Sequence, residues 1–202
     1  MNDALHISGL TKTYGDFVLD HVSFRVPSGS IVGLIGENGA GKSTTINAAL
    51  GLIQKEEGRV SILGKDALDN ATKEQVGVVF DGSNYPEILS PRKLSRIMKN
   101  IYHTWDERAY LDMLKRFSLP ADKPIRQFSR GMKMKLSITA ALSHQPKLLI
   151  LDEATSGLDP IIRDDILDML LAFVQDEEHS ILISSHITSD LEKIADYIVF
   201  IH

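Results

Sequence analysis

The sequence of 202 residues contains no cysteine, a single tryptophan and no long apolar run. Without cysteine the chain forms neither disulfides nor thiolate metal sites, which is usual for proteins of a reducing compartment. No apolar stretch approaches the roughly 18 residues that a membrane-spanning helix needs, so we expect another chain to supply any membrane span. The first four residues are acidic and polar, whereas a signal peptide begins with basic and then apolar residues.

The chain also lacks an excess of positive charge. It has 22 Lys and Arg against 27 Asp and Glu, which gives a net charge of −5. A general nucleic-acid binder needs a basic face, so we expect no nucleic-acid partner. Apolar residues make up 43% of the sequence, which is enough for a core. The length favours one α/β domain with room for an inserted lobe.

Residues 36–44 form a glycine-rich segment with the pattern GxxxxGK[ST]. The apolar run at 31–35 before it predicts a buried strand. After it, apolar residues recur at the spacing of a one-sided helix: Ile46, Ala49, Leu50 and Ile53. Strand, glycine-rich loop and helix together favour a phosphate cradle over a plain glycine-rich turn, because backbone N–H groups and the positive end of a helix attract a polyanion.

Two side chains of this loop have specific predicted roles. Lys42 is expected to reach the terminal phosphates of a nucleotide, and the Ser43 hydroxyl is expected to hold Mg²⁺. The predicted nucleotide-binding residues of the loop are Gly36, Asn38, Gly39, Ala40, Gly41, Lys42, Ser43 and Thr44.

Around the loop, the sequence predicts a hairpin from residues 4–10 and 17–26 and short strands at 59–63 and 76–80. Tyr14 lies near the hairpin turn. With a phosphate loop in the same chain, we expect Tyr14 to be a stacking platform for a purine ring rather than an ordinary turn tyrosine.

Between residues 81 and 123 the pattern becomes helical. Ser90 followed by Pro91 predicts one helix start, and Trp105–Asp106 predicts another. We therefore expect a single domain, 1–202, in which 81–123 is an inserted helical unit and 1–80 with 124–202 is the nucleotide-binding core. The insert's charges are interpreted either as solvated faces or as a docking surface for a partner chain. Its basic residues include Arg92, Lys93, Arg96, Lys99, Lys115 and Arg116.

Residues 128–132 predict the start of a helix that runs to about residue 143, and three cations lie in its first turns: Arg130, Lys133 and Lys135. Cations at a helix N-terminus oppose its dipole, at a cost of about 0.3–1 kcal/mol each when exposed. We therefore expect this helix start to meet an anion.

Polar groups follow two further apolar strands. Asp152 and Glu153 end one of them, and His186 ends the other. Parallel strands place such groups at one edge of a sheet. We expect Asp152 to hold Mg²⁺ together with Ser43, Glu153 to orient or deprotonate a water, and His186 to donate to the terminal phosphate. The alternative for the two acids is a pair of solvated carboxylates at a strand end.

Three patterns describe the last third of the chain. Asp159 followed by Pro160 predicts a capped helix start. Ser189 and Glu192 have the spacing of a capping box, which predicts another helix start. Residues 197–201 predict a final strand.

These motifs, in this order, resemble the ATP-binding subunit of an ABC transporter over the whole chain. Residues 36–44 match the Walker A loop, and 148–153 match Walker B with its catalytic glutamate. Residues 128–132 resemble the family signature and 156–159 the D-loop. His186 matches the switch histidine.

The resemblance implies a fold and a mode of assembly. The fold is a P-loop NTPase with a mixed or parallel sheet core, an N-terminal antiparallel β subdomain and an inserted α-helical subdomain. Tyr14 matches the aromatic residue that stacks on adenine. Two such domains enclose two ATP molecules head to tail, so that Ser129 and Gly131 of one subunit contact the phosphate held by Lys42 of the other. Asp159 of the D-loop is included among the nucleotide-binding residues.

The chain departs from the family pattern at two places. The signature reads Phe-Ser-Arg-Gly-Met where the family has Leu-Ser-Gly-Gly-Gln, so Arg130 and Met132 alter this face. Asp81 stands where the Q-loop has glutamine, and its carboxylate is a third predicted Mg²⁺ contact. Both departures resemble a bacterial subgroup whose permeases are of the ABC-2 type, usually exporters. Because relatives continue past the last strand, we expect the C-terminal end at His202 to be truncated.

The sequence thus predicts an Mg²⁺-dependent ATPase with Glu153 and His186 as catalytic residues. It would energise a separate permease through ATP-induced dimerisation at the cytoplasmic face of the membrane. A non-hydrolysing ATP-binding regulator is one alternative, but it should lack one of these two residues. A DNA-repair or chromosome-organising ATPase should contain a long coiled coil, where here about 85 residues without sustained heptads intervene. A guanine-specific NTPase is disfavoured because the sequence has no Asn-Lys-x-Asp run.

Overall fold

The computed structural model describes residues 3–66, 69–82 and 85–202. This part of the chain forms two sheets with helices packed around them. The strands are β1 (Asp3–Tyr14), β2 (Phe17–Pro27), β3 (Ile31–Ile35), β4 (Glu57–Ile62), β5 (Lys65–Asp66), β6 (Val76–Val79), β7 (Leu148–Asp152), β8 (Ser180–Ser185) and β9 (Tyr197–Phe200). The helices are α1 (Lys42–Ala49), α2 (Asn70–Lys73), α3 (Pro91–Ile101), α4 (Glu107–Arg116), α5 (Arg130–Leu142), α6 (Pro160–Phe173) and α7 (Thr188–Ile194).

Five strands form a parallel sheet in the order β6-β7-β8-β3-β9. The strands predicted before Asp152 and before His186 are confirmed as β7 and β8. Asp152 pairs with Ser184 on β8, and Ser184 pairs in turn with Leu34 on β3. The carboxyl ends of these three strands therefore meet at one edge of the sheet.

Side chains of the parallel sheet alternate between two apolar clusters. Ile150 and Leu182 pack with α1 and the antiparallel sheet on one face. Leu151 and Ile183 pack with α5, α6 and α7 on the other face. Because both faces are covered, β7 and β8 are buried at every residue, and this explains the apolar runs at 148–151 and 181–183.

The antiparallel sheet has the strand order β2-β1-β4-β5. The predicted hairpin is confirmed, but β1 continues to Tyr14 and leaves only Gly15 and Asp16 for the turn. Thr13 extends the strand because its backbone N and its Oγ1 donate to the Glu56 carboxylate, at 3.2 and 2.9 Å. Strand β5 was not predicted, since two residues are too few to show an alternating pattern.

The two helices predicted in the insert are α3 and α4. The hydroxyl of the fully buried Tyr110 on α4 donates to the carbonyl of Pro91 on α3 at 3.0 Å. The indole Nε1 of Trp105 donates to Ser95 Oγ at 3.2 Å, so the segment just before α4 is also bound to α3. The boundaries of the insert at residues 81 and 123 stay a prediction.

The helical unit packs on α5 of the core. Leu94 and Leu114 share an apolar cluster with Leu136 and Ala140 of α5. The chain also crosses between the two parts by a backbone hydrogen bond of 2.8 Å from Asp106 N to Ser143 O. A movement of the helical unit therefore acts directly on α5.

The capping-box prediction at Ser189 and Glu192 is wrong. Helix α7 begins at Thr188, and the N-cap position is Ile187, two residues before the predicted cap at Ser189. The turn between β8 and α7 is stabilised instead by Ser185, whose Oγ accepts a hydrogen bond from Ile187 N at 2.9 Å. Because Ser185 already bonds the backbone of this turn, Ser189 lies within α7 and does not act as its N-cap.

Helix lengths also differ from the predicted spacing. α1 ends at Ala49, and Gly51 has a φ of 68°, a conformation that ends helices. Ile53 consequently lies outside α1.

The longest helix in the described ranges, α6, has 14 residues, fewer than the roughly 20 that span a bilayer. None of the described helices can cross a membrane.

Candidate nucleotide site

Lys42, the first residue of α1, lies inside the glycine-rich loop. It is only 5% exposed. Its Nζ donates to the carbonyl oxygens of Gly36 at 2.7 Å and Glu37 at 3.1 Å, so the loop curls around the ammonium group. Carbonyl groups orient the ammonium but carry no net charge, so the loop by itself does not neutralise Lys42.

Helix α1 starts with its backbone N–H groups uncapped by any described side chain. The first N–H groups of an α-helix have no partner within the helix, and together with the helix dipole they favour a bound anion. Ser43 is exposed on this first turn, next to the buried Lys42. In the rest of the predicted site, Asn38 and Gly39 are exposed, and Gly36, Ala40 and Thr44 are partly buried.

Close packing requires glycine at two positions of the loop. A Cβ atom on Gly36 would lie 2.4 Å from the Ile201 carbonyl oxygen. Gly41 has a φ of 103°, and a Cβ there would lie 2.9 Å from Leu19 and 3.0 Å from Phe17. The loop is therefore fixed between the residue that follows β9 and the hairpin strand β2.

One serine hydroxyl holds both acidic residues at the end of β7. Ser184 Oγ donates to Asp152 Oδ1 at 2.5 Å and accepts from the backbone N of Glu153 at 3.0 Å. Asp152 is 7% exposed, so its carboxylate is held in a defined orientation. Ser184 was not predicted from the sequence. The available signal was a polar residue near the end of an apolar strand that neighbours the Asp152 strand.

The backbone of Glu153 is in the left-handed region, with a φ of 53°. Residues other than glycine seldom adopt this conformation, which costs on the order of 1–3 kcal/mol. The hydrogen bonds of its N–H to Ser184 Oγ at 3.0 Å and Ser184 O at 3.2 Å hold it there. Backbone strain of this kind is concentrated at active and ligand-binding sites, where it fixes the direction of a functional side chain.

The Glu153 carboxylate lies between two other predicted site residues. Its Oε1 is 3.3 Å from Lys42 Nζ, and its Oε2 is 2.6 Å from His186 Nδ1. Glu153 Oε1 is buried and, among the described residues, has no hydrogen-bond partner besides this ion pair. Three residues predicted from three separate motifs therefore meet at the carboxyl edge of the parallel sheet.

The family model described as ABC transporter matches residues 19–156, which is more than half of the chain. The chain belongs to the ABC transporter family. It is an ATP-binding subunit of that family, and ATP hydrolysis is its activity.

Two relatives illustrate the similarity of this ABC subunit. The bacitracin transport ATP-binding protein BcrA of Bacillus licheniformis is 35% identical, with 100% of this chain and 68% of the relative covered. The Nod factor export ATP-binding protein I of Sinorhizobium fredii is 34% identical, with 96% of this chain and 58% of the relative covered.

A solved structure of an ATP-binding subunit of an ABC transporter superposes with a TM-score of 0.86. It is 30% identical to this chain, and 98% of this chain and 86% of the other are covered. The predicted fold class is thus confirmed, including the antiparallel β subdomain and the helical insert.

In this ABC subunit, Tyr14 stands at the end of the hairpin nearest the phosphate loop. It pairs across the turn with Phe17, which packs against Gly41. Tyr14 is 48% exposed, and Lys12 Nζ lies 5.0 Å from its ring centroid. The position suits a ring that stacks on a base beside the loop, and this role stays a prediction.

The signature residues lie at the start of α5, beside α6. Ser129 Oγ accepts from Met132 N at 3.2 Å and caps α5. Gly131 is buried against Ile162, where a Cβ would lie only 2.9 Å from Cγ2. Asp159 caps α6 as predicted, since its Oδ1 accepts from Ile162 N at 3.1 Å. These contacts lie within the α5–α6 face, and the nucleotide roles of Ser129, Gly131 and Asp159 stay predictions.

The two departures from the family pattern contact each other. Arg130 Nη2 donates to Asp81 Oδ1 at 2.8 Å, although the residues are far apart in sequence. The Mg²⁺ contact predicted for Asp81 stays a prediction, and Arg130 competes for the same carboxylate.

The other two cations at the start of α5 are also paired within the chain. Lys133 forms an ion pair with Glu87, and Lys135 Nζ lies 2.5 Å from Asp165 Oδ2. Lys135 is only 7% exposed. The unfavourable position of these cations at a helix start is therefore offset by carboxylates from neighbouring segments.

Proposed function

We propose that this ABC subunit binds Mg²⁺ and ATP at its glycine-rich loop and hydrolyses the ATP when a second copy closes head to tail over it. Closure drives an integral-membrane permease, in the export direction, from the cytoplasmic face of the membrane. The proposal depends on the position of Glu153 between two other site residues. Its carboxylate lies 3.3 Å from Lys42 Nζ and 2.6 Å from His186 Nδ1. A cation, an acid and an imidazole at one sheet edge suit the transfer of a phosphoryl group to water.

Binding of the triphosphate changes the partners of Lys42. The ammonium now contacts two carbonyls and, at 3.3 Å, the Glu153 carboxylate. A terminal phosphate carries more charge than a carboxylate and attracts the ammonium more strongly. Glu153 Oε1 is then free to accept a proton from the attacking water.

His186 keeps the Glu153 carboxylate in place during this exchange. Its Nδ1 remains 2.6 Å from Oε2, the oxygen that does not face Lys42. Since Nδ1–H is donated to Oε2, Nε2 donates to the terminal phosphate when both ring nitrogens carry a proton. A base oriented in this way raises hydrolysis by about 10²–10⁴-fold, the usual range for general base catalysis.

The donor set fits Mg²⁺. Asp152 supplies a buried carboxylate at a fixed orientation, and Ser43 supplies a hydroxyl on the first turn of α1. Among the described residues there is no cluster of three or more acidic or histidine side chains that would hold a metal alone. Mg²⁺ prefers oxygen ligands and is usually held by one or two carboxylates together with substrate phosphates. When bound, it neutralises charge on those phosphates.

A second copy is needed to complete the nucleotide contacts. Ser129 and Gly131 lie on the α5–α6 face, and their own contacts remain there. In a head-to-tail pair this face would cover the loop of the other copy, with Asp159 beside it. The name of the Sinorhizobium relative supports the export direction.

An apolar groove between the core and the helical unit supports a contact with the permease. Its volume is about 340 Å³. Leu52 at its rim is 60% exposed, and the nearby Ile101 on α3 is 55% exposed. We assign the groove to a short apolar segment of the permease that faces the cytoplasm. Residues lining it include Leu50, Gly51, Leu52, Val78, Phe80 and Tyr102.

Crosslinking tests this assignment, and the absence of cysteine from the sequence makes single-cysteine variants unambiguous. Ile101→Cys should crosslink to the permease in membranes that contain both chains. Val18→Cys is the matched control, since Val18 is 53% exposed on β2, in the antiparallel sheet. If only the control position crosslinks, the groove is not the contact.

The hydrolytic role of Glu153 is tested with the permease present. Glu153→Gln should lower the ATPase kcat by about 100-fold or more while ATP binding is retained, because glutamine cannot accept the proton. Glu192→Gln makes the same chemical change at an exposed position on α7 and should leave the rate unchanged. Equal rates for Glu153→Gln and the unmodified protein would refute the catalytic role of Glu153, whereas ATP binding without hydrolysis by either protein would favour a non-hydrolysing regulator.

A further inference from the structure

Arg130 connects two segments at the carboxyl edge of the parallel sheet. Its Nη2 donates to Asp81 Oδ1, 2.8 Å away, in the segment after β6. Its Nη1 lies against Gly157 in the turn after β7, where a Cβ would be only 2.6 Å from that nitrogen. One guanidinium therefore spans both segments, and Gly157, with a φ of 65°, leaves the room for it.

This arrangement is close to the surface. The side chains of Arg130 and Asp81 are 50% and 51% exposed. Ion pairs with this exposure contribute little to stability, so the guanidinium can change partners at low cost. Lys135, at the same helix start, is buried and held by Asp165. Of these two cations, Arg130 is the one available to an incoming anion.

We propose that Arg130 is a phosphate ligand that acts across the dimer. It leaves Asp81 and donates to the terminal phosphate of the ATP held by the second copy when the two copies close. The inference rests on the proposed head-to-tail dimer, in which Ser129 and Gly131, on either side of Arg130, face that phosphate. The planar guanidinium presents two parallel N–H groups, which match phosphate oxygens.

Asp81 has a defined part in this exchange. Its carboxylate holds the guanidinium at the sheet edge before closure, at 2.8 Å. When Arg130 turns to the phosphate, Asp81 loses its cation, and this opposes closure. The aspartate and the arginine therefore form one charge-balanced unit in place of the neutral glutamine and glycine that the family pattern has at these positions.

The proposal predicts effects of opposite sign for the two residues. Arg130→Gln removes a phosphate ligand and should weaken the ATP-bound dimer. Asp81→Asn removes the competitor and should strengthen it. If the pair were only a surface ion pair, the two substitutions would have equal, small effects of the same sign.

The experiment measures the dissociation constant of the dimer by sedimentation with saturating Mg²⁺ and ATP. Glu153→Gln is the parent in every case, so that ATP is not consumed. In this parent, Arg130→Gln should raise the constant about tenfold or more, as expected for a charge-assisted phosphate contact. Asp81→Asn should lower it by about two- to fivefold. The variant with both substitutions should match Arg130→Gln, because Asp81 acts only through the arginine.

Two further readouts separate this role from a general effect. ATP affinity of the monomer should not change in Arg130→Gln, since the phosphate that it contacts belongs to the other copy. Arg92→Gln and Asp122→Asn break another exposed Arg–Asp pair, which lies on the helical unit with a 2.7 Å contact, and should not change dimerisation.

Three results would overturn the inference. The first is a change of the same sign for Arg130→Gln and Asp81→Asn. The second is a tighter dimer in Asp81→Asn that remains tighter after Arg130 is also replaced, which would mean that Asp81 acts only as a repulsive charge. The third is a parent that stays monomeric with ATP. This last result would refute the head-to-tail dimer itself, whereas the first two leave the dimer intact.

Discussion

Arg163 on α6 and Asp190 on α7 form an ion pair that joins the turn at 156–159 to the helix behind His186. Nη1 lies 3.5 Å from Asp190 Oδ1, and Nη2 donates to the Leu158 carbonyl at 3.2 Å. Asp190 is 1% exposed. The two segments that would meet the second copy and the terminal phosphate are therefore mechanically connected.

Asp190→Asn should lower the free energy of unfolding by about 2 kcal/mol, because it leaves the partly buried Arg163 without a counter-charge. Urea denaturation measures the change. Asp164→Asn is the control, since it breaks an exposed ion pair. The side chain of Asp164 is 60% exposed, and that of its partner Lys193 is 57% exposed. It should cost less than about 1 kcal/mol. Equal losses would mean that burial of the Asp190 pair contributes nothing.

Ser184→Ala should destabilise the protein by about 1–3 kcal/mol and also reduce the ATPase rate. The substitution leaves the Asp152 carboxylate and the Glu153 N–H without their shared hydroxyl. Ser137→Ala is the matched control, because the buried Ser137 Oγ has no hydrogen-bond partner among the described residues. Denaturation and steady-state kinetics should show an effect for Ser184→Ala alone. A normal kcat in that variant would contradict its role in positioning the acids.

Gly36→Ala should abolish tight ATP binding, since its Cβ would lie 2.4 Å from a backbone oxygen of Ile201 and the loop would have to move. Gly39→Ala separates the effect of close packing in the loop from the effect of a positive φ angle. Gly39 has a φ of 90°, but nothing lies within 4 Å of its Cβ position. We expect Gly39→Ala to weaken binding less, as measured by calorimetry. The reverse order would show that loop packing against Ile201 is unimportant.

His144 should make stability depend on pH. Burial lowers the pKa of His144 to about 4, and its ring stacks on Tyr102 with a centroid distance of 4.1 Å. An unfolded histidine takes up a proton near pH 6.5, whereas the folded one stays neutral. Stability is therefore highest above pH 6.5 and falls as the pH is lowered towards 4, by at most about 3 kcal/mol.

The measurement for His144 is the free energy of unfolding across this pH range. His144→Gln should have a flatter profile between pH 6.5 and 4 than the unmodified protein. His103→Gln, at a side chain that is 88% exposed, should keep the original slope. Parallel profiles for all three proteins would show that His144 is protonated in the folded state.

Local sequence patterns predicted most helices and strands, because the formation of these elements depends largely on residues that are close together in the chain. The apolar run before residue 36, the glycines of the loop and the acids after the Asp152 strand each appear within a few positions of one another. The prediction at Ser189 failed for a similar local reason, since Ser185 already closes the preceding turn.

The pairing of Arg130 with Asp81 was not predicted, although both residues had been noted as unusual. The two residues meet only because α5 packs against β6, where Val79 shares an apolar cluster with Met134 and Ile138. Ser184 was missed for the same reason. Its importance depends on the pairing of β8 with β7, which no short pattern records.

By itself, the sequence determined the strand–loop–helix unit, the order of the motifs and hence the family, because these depend on residue type and spacing along the chain. Only the tertiary structure decided which side chains meet. Strand β8 lies between β3 and β7, and this order places Glu153 between Lys42 and His186. Side-chain contacts depend on the order of strands across the sheet, which separation along the chain does not specify.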